Sequence, residues 1–231
     1  MRVAFVVDGF NVYHSIKAAE RKIGQRLRWL DLDGLCRTLL SSVFGHGHTC
    51  AGVYYYSALA NHLTPRNPGV VQRHRNYIDA LKATGVSVTT AKFKKKDREE
   101  ALRYCRVRFG RSKRCWRFPI PGVRISMRTH EEKETDVAIA AKLFELLCTG
   151  AADAVVLIIG DTDVAPAIRT AKSIFPNALV CVGLPYDRHN RELERVASRS
   201  FKIGPQLYSS SQLPDPVLCG KSVLNCPKRW K

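Results

Sequence analysis

The chain has 231 residues, 45% of them hydrophobic and 25% charged, the proportions of an ordinary globular domain with enough length to bury a core. Thirty-eight lysines and arginines face only 20 aspartates and glutamates, and the net charge of +18 favours polyanionic partners, nucleic acid ahead of an anionic membrane surface. No run of about 18 apolar residues marks a transmembrane helix. The apolar start MRVAFVVDGF is too short for a secretory signal and is interrupted by Asp8, so it reads as a core strand of a cytoplasmic protein. Its eight cysteines are then expected to be reduced, with Cys36, Cys148 and Cys181 in the core.

In chain order, VAFVV (3–7) has the β-branched and aromatic content of a strand buried on both faces, and residues 12–22 suit a helix. Asp31 stands as an N-cap before the apolar spacing of Leu35, Leu39 and Leu40. AGVYYYSA (51–58) is a second strand, VVQRHRNYIDALKATG a helix closed by Gly85, and VSVTTAKF (86–93) a third strand. A basic and aromatic insert at about 94–130 interrupts this rhythm. TDVAIAAKLFELLC (135–148) follows as a helix with apolar residues at 137, 140, 144 and 147. AVVLIIG, DVAPAIRTAKSIF, ALVCVGL, RHNRELERVAS and SFKIG then alternate strand and helix. Residues 206–231, rich in Ser and Pro, are expected to form an extended tail outside a domain spanning 1–205. The alternation predicts an α/β fold with a mostly parallel sheet covered by helices on both faces, where ligands bind beyond the carboxyl ends of the strands.

That rule gives meaning to the acids. Asp8 directly follows the first strand, and Asp161 and Asp163 follow AVVLIIG; Asp136 starts a helix, and Asn11 lies one turn beyond Asp8. Each has a structural reading: Asp-Gly is a turn dipeptide, Asp136 suits a helix N-terminus, and Asp161 or Asp163 could be an N-cap. Taken together, carboxylates gathered on one rim repel one another unless a cation neutralises them. Hard oxygen donors suit Mg²⁺ or Mn²⁺, ions that activate water and stabilise a phosphodiester transition state. In a basic chain this combination reads as a metal-dependent nuclease.

The motifs VAFVVDGFNVYHS, YYYSA, EEKETDVAIAAKLF and VVLIIGDTDVAPAI, followed by the VGLP strand, resemble the NYN domain family, most closely its LabA-like branch, relatives of the PIN-domain nucleases. The resemblance covers most of residues 3 to 203. It implies a PIN-like, Rossmann-like three-layer fold and a metal-dependent ribonuclease site with Asp8, Asp136, Asp161 and Asp163 as its acids and Asn11 as a polar helper. The family's usual GDSD is GDTD here, and Thr162 keeps the hydroxyl. A regulatory protein that binds RNA or DNA with little turnover is the alternative. A HAD-type phosphatase is a third reading, which lacks its general acid because position 10 is Phe.

RNA, most readily single-stranded, is the expected partner, with DNA and an oligomeric state both open. Lys94, Lys95, Lys96, Arg111, Lys113 and Arg114 supply phosphate contacts from the insert, and Trp116 a ring for an unpaired base. Lys133 is a candidate for the scissile phosphate, and Arg188, beside Asn190, for a phosphate on the same rim. His14, one helical turn from Asn11, has the reach of the rim or of solvent, and Ser57 follows YYY near another strand end, whereas Arg73 and Arg75 read as a solvated helix face. Cys105 and Cys115, with His130, lack the spacing of a zinc knuckle, and Cys219 and Cys226 are no better placed.

Overall fold

The computed structural model describes residues 1–91, 93–101, 104–108, 115–119, 124–132, 134–220 and 222–230, with 93–101, 104–108, 115–119 and 125–132 described by their backbone alone. The first half runs β1 (Arg2–Asp8), α1 (Gly9–Ile23), α2 (Leu32–Phe44), β2 (Thr49–Ala58), α3 (Val70–Ala83) and β3 (Ser87–Ala91). The second runs α4 (Thr135–Cys148), β8 (Ala154–Ile158), α5 (Ala165–Ile174), β9 (Leu179–Leu184), α6 (Arg191–Val196) and β10 (Arg199–Lys202). Between the halves lie β4 (Phe93–Ala101), β5 (Tyr104–Arg108), β6 (Cys115–Pro119) and β7 (Arg124–Glu132).

Six strands form one parallel sheet in the order β10-β9-β8-β1-β2-β3. The two-residue period of the central strands divides their side chains between two cores. Val3, Phe5 and Val7 of β1 join Val156 and Ile158 of β8 in a core covered by Ile16 of α1, Leu35 and Leu39 of α2 and Leu81 of α3. Ala4, Val6, Val155 and Leu157 face the other way, under Ile139 and Leu143 of α4, Ile168 of α5 and Leu193 of α6. The result is a three-layer α/β sandwich of the PIN-like kind. The chain winds outward from β1 through β2 to β3, then returns to place β8 on the other side of β1 and winds outward again to β10. Strand order therefore reverses between β1 and β8, where α/β sheets open a binding crevice at their carboxyl ends.

Several sequence expectations need correction. The buried face of α4 is Ile139, Leu143, Leu146 and Leu147, while Val137 is 73% exposed. VAIAAKLFELL is apolar on more than one face, so its periodicity could not choose among them. Cys148 is exposed at the end of that helix, whereas Cys36 and Cys181 are buried as expected. The basic insert pairs as two antiparallel ribbons, β4 with β7 and β5 with β6.

The expected extended tail folds back onto the domain. It contains α7 (Pro205–Ser210) and a hairpin of β11 (Val217–Cys219) and β12 (Ser222–Leu224). Tyr208, Leu213 and Val217 enter the same core as Phe5, and the Trp29 indole N–H donates to Pro214 O at 2.9 Å. A segment that docks through isolated anchors leaves no periodic signal. No helix among the described residues is long and apolar enough to cross a membrane.

Candidate active site

Asp8 ends β1 and caps α1. Its Oδ1 accepts the Asn11 backbone N–H at 3.0 Å, and its Oδ2 accepts from the Asn11 side-chain amide. Asn11 thus holds the carboxylate in one orientation, and both side chains are buried, Asp8 to 4% exposure. Gly9, next along, is held against Tyr55 of β2: a Cβ there would lie 2.5 Å from the Tyr55 hydroxyl oxygen.

Asp161 arrives from β8 through Ile159 and Gly160. It precedes the 3₁₀ turn Thr162–Val164, but its side chain makes no capping hydrogen bond and is exposed. That observation removes the N-cap explanation for Asp161. Asp136 lies in the first turn of α4, which starts after Glu134 in a left-handed conformation (φ 78°). Asp187, just before Arg188, has φ 61°, and these are the two positive-φ residues other than glycine among the described residues. Both adjoin the carboxyl rim, where uncommon backbone geometry orients the side chains that follow.

Asp8, Asn11, Asp136 and Asp161 line one cleft of about 780 Å³, shared with His14, Ser57 and His74. Asp163 does not line it, although its charge reaches Asp136. Burial raises the Asp8 carboxyl above the ordinary aspartate value, opposed by its hydrogen bonds to Asn11 and Phe10 and reinforced by the charge of Asp161. Burial also raises Asp136, with the charges of Asp8, Asp161 and Asp163 adding to it. The donors are hard oxygens of the kind that suit a hard divalent cation, and their like charges add to the larger effect of burial. Among the described residues, however, no three His, Cys, Asp or Glu side chains are grouped closely enough to hold an ion. Donors so spaced could touch a hydrated ion such as Mg²⁺ directly through only one or two carboxylates.

Because folded Asp8 and Asp136 titrate above 3.8, their ionisation costs stability. The cost is absent below pH 3.8, where the unfolded chain is also protonated, and grows as pH rises through the folded values. Without divalent metal, Asp136→Asn should therefore gain melting temperature over the native chain as pH rises from that point. Parallel melts at stepped pH check this, and a difference that ignores pH would count against the shift.

Arg188 reaches the rim beside Gly160, where an added Cβ would lie 3.0 Å from both Arg188 Cβ and Asn11 Oδ1. Its positive charge, with that of Lys17, adds to burial in lowering His14. Asn190 caps α6, its Oδ1 accepting from the Glu192 and Leu193 N–H groups. Lys94, Lys95, Lys96 and Trp116 lie in strands described by backbone alone, and Arg111, Lys113, Arg114 and Lys133 lie outside the described residues.

Sequence reasoning missed several residues of the cleft. His74, its pKa lowered by burial, stands 3.4 Å from Ser57 Oγ. Phe10, 49% exposed, and Tyr13 present rings along α1, and Arg73, Arg229 and Trp230 also line the cleft. The aromatic positions had a signal, since VVDGFNVYH places two rings just after a strand end. Arg229 and Trp230 had none.

A parallel α/β sandwich with carboxylates meeting at its switch point is the architecture of a nuclease-like domain. The chain belongs to the NYN domain family, whose model matches residues 2–203. It is similar to the crystal structure of a protein of unknown function from Vibrio parahaemolyticus, with a TM-score of 0.50 and 19% sequence identity over 92% of this chain and 96% of that one. At that identity the likeness concerns fold alone. No curated protein matches the chain.

Proposed function

We propose that the chain is a metal-dependent ribonuclease whose cleft binds single-stranded RNA across the acidic rim. The observation that carries this reading is the meeting of Asp8, Asp136 and Asp161, from two strand ends and a helix start, in one cleft of a chain with net charge +18. Asp8, Asp136 and Asp161 would hold Mg²⁺ or Mn²⁺, which when bound supplies an activated water and neutralises charge developing on the phosphate. Asn11 fixes the direction of the Asp8 carboxylate. Asp163, outside the cleft lining, acts through the field it imposes on Asp136. Arg188 offers a guanidinium to a phosphate beside Gly160, and Phe10 a ring to an unpaired base. Lys94, Lys95, Lys96, Arg111, Lys113, Arg114, Trp116 and Lys133 would extend the RNA surface from the insert. We place the protein in the cytoplasm and take residues 1–205, with the tail that packs into their core, as its nuclease domain.

A second reading is a regulator that binds RNA or DNA with little turnover. It is favoured by the lack, among the described residues, of three closely grouped metal-ligating side chains. Incubating single-stranded RNA with the protein in Mn²⁺ and in EDTA decides between the two. Cleavage only in Mn²⁺ is the result expected of the nuclease; binding without cleavage in either buffer selects the regulator.

The RNA surface has its own prediction. Affinity should fall steeply with salt, because each neutralised phosphate on a single strand adds about 0.7 to the logarithmic salt slope. Reversing the charges of Lys94, Lys95 and Lys96 together should weaken binding and flatten that slope. An unchanged slope in the triple variant would place the RNA elsewhere.

A further inference from the structure

The lining of the cleft includes a cluster that the hydrolytic site does not use. Asn67 Oδ1 accepts hydrogen bonds from Arg73 Nη2 at 2.7 Å and from Arg229 Nη1 at 2.8 Å. Arg73 is in the first turns of α3, and Arg229 in the 3₁₀ turn Lys228–Trp230 of the folded-back tail. The two guanidinium groups therefore converge on one neutral oxygen. Among the described residues, neither forms an ion pair with a carboxylate. Like charges placed together at a cleft wall without a counter-charge favour an anion.

The local chain geometry sustains the arrangement. Arg73 folds back over the start of its helix, with Nη1 donating to Pro68 O at 3.2 Å. Gly69 permits this: it has φ +77°, and a Cβ there would lie 3.1 Å from Arg73 Nη1. Asn76 donates to Asn225 O at 2.7 Å, and the Trp230 ring meets the Tyr77 ring edge-on at 5.9 Å, so the tail is tied to α3 before and after Arg229. Each guanidinium has five N–H donors in a planar fork, and Asn67 takes only one from each.

We propose that Arg73 and Arg229, spaced by Asn67, form a clamp for a backbone phosphate of a nucleic-acid strand lying in the cleft. The clamped phosphate flanks the one presented to Asp8, Asp136 and Asp161, and the partly exposed Trp230 ring adjoins its base. The proposal rests on the reading of the cleft as the place where RNA binds and gives that site a second point of contact. It also gives the tail a function: one half of the clamp is delivered by a segment beyond the parallel sheet.

The test uses the full chain in EDTA, so that binding is read without turnover. Anisotropy of a labelled single-stranded RNA oligonucleotide is titrated over a range of salt with the native chain, Arg73→Gln, Arg229→Gln, the double variant and Arg75→Gln. Arg75 is exposed on the same helix and does not line the cleft. The double variant is expected to bind about tenfold or more weakly, as for loss of charge-assisted hydrogen bonds, with a salt slope lower by about 0.7. Arg75→Gln should bind as the native chain does. Arg229→Gln keeps the test valid if Arg73→Gln folds poorly, because Arg229 is exposed and serves no core contact. Native affinity and slope in the double variant overturn the clamp, as does an equal loss in Arg75→Gln or no RNA binding by the native chain. A native chain that binds through these arginines but never cleaves in Mn²⁺ overturns only the nuclease reading and leaves the clamp standing.

Discussion

Asp161→Asn is expected to abolish Mn²⁺-dependent RNA cleavage while leaving the melting temperature at or slightly above that of the native chain. The two halves of that result have separate physical causes. Removing one ligand charge weakens the hold on the ion and on the water it activates. Asp161 is exposed and makes no capping hydrogen bond, so the fold loses no contact when its charge goes. Its charge also raises the carboxyls of Asp8 and Asp136, and neutralising it relieves that repulsion. RNA affinity in EDTA should hold or tighten, since a negative charge has left a wall that faces phosphate. A cleavage assay beside a thermal melt checks all three. Full cleavage by the variant would remove Asp161 from the site, and a loss of about 0.5–2 kcal/mol would restore the cap explanation.

Asp8→Ala is expected to lose the same activity together with stability. Asp8 is an N-cap as well as a rim acid, and at 4% exposure little water can replace it. Truncation leaves the Asn11 backbone N–H and side-chain amide without their acceptor inside a buried pocket. Relief of the carboxylate's own desolvation works in the opposite direction. The orphaned donors and the bare helix N-terminus outweigh it, for a net loss of about 0.5–2 kcal/mol. Denaturant unfolding of the two variants together separates the roles: cleavage falls in both, stability in Asp8→Ala alone. Equal stability of Asp8→Ala and the native chain would mean that the Asn11 contacts contribute nothing net.

The parts of this molecule that were legible in the sequence are those in which local pattern and final position coincide. VAFVV and AVVLI are apolar at every position because both faces are covered, and that pattern survives without knowledge of the partners. Asp8 and Asp161 were legible as rim residues because they follow such strands, and parallel neighbours end on one side. The position of Asp136 followed from the family motif and from its place at a helix start. Where pattern and position part, the reading failed. The helix at 135–148 has more apolar positions than it buries, so the choice of face came from packing against the sheet. Residues 206–231 dock through Tyr208, Leu213, Val217 and Trp230, anchors with no shared period. Arg73 looks solvated within its own helix, and only the return of Arg229 to Asn67 shows that it faces the cleft.

The central claim is that the rim acids hold a divalent ion. A crystal of the protein soaked in Mn²⁺ and measured at a wavelength where manganese scatters anomalously tests it most directly. The account predicts an anomalous peak in the cleft, about 2.1 Å from a carboxylate oxygen of Asp8, Asp136 or Asp161, with ordered waters completing its shell and direct protein contacts to only one or two carboxylates. A well-diffracting soaked crystal with no peak among these acids, or with manganese bound only elsewhere on the surface, would contradict it.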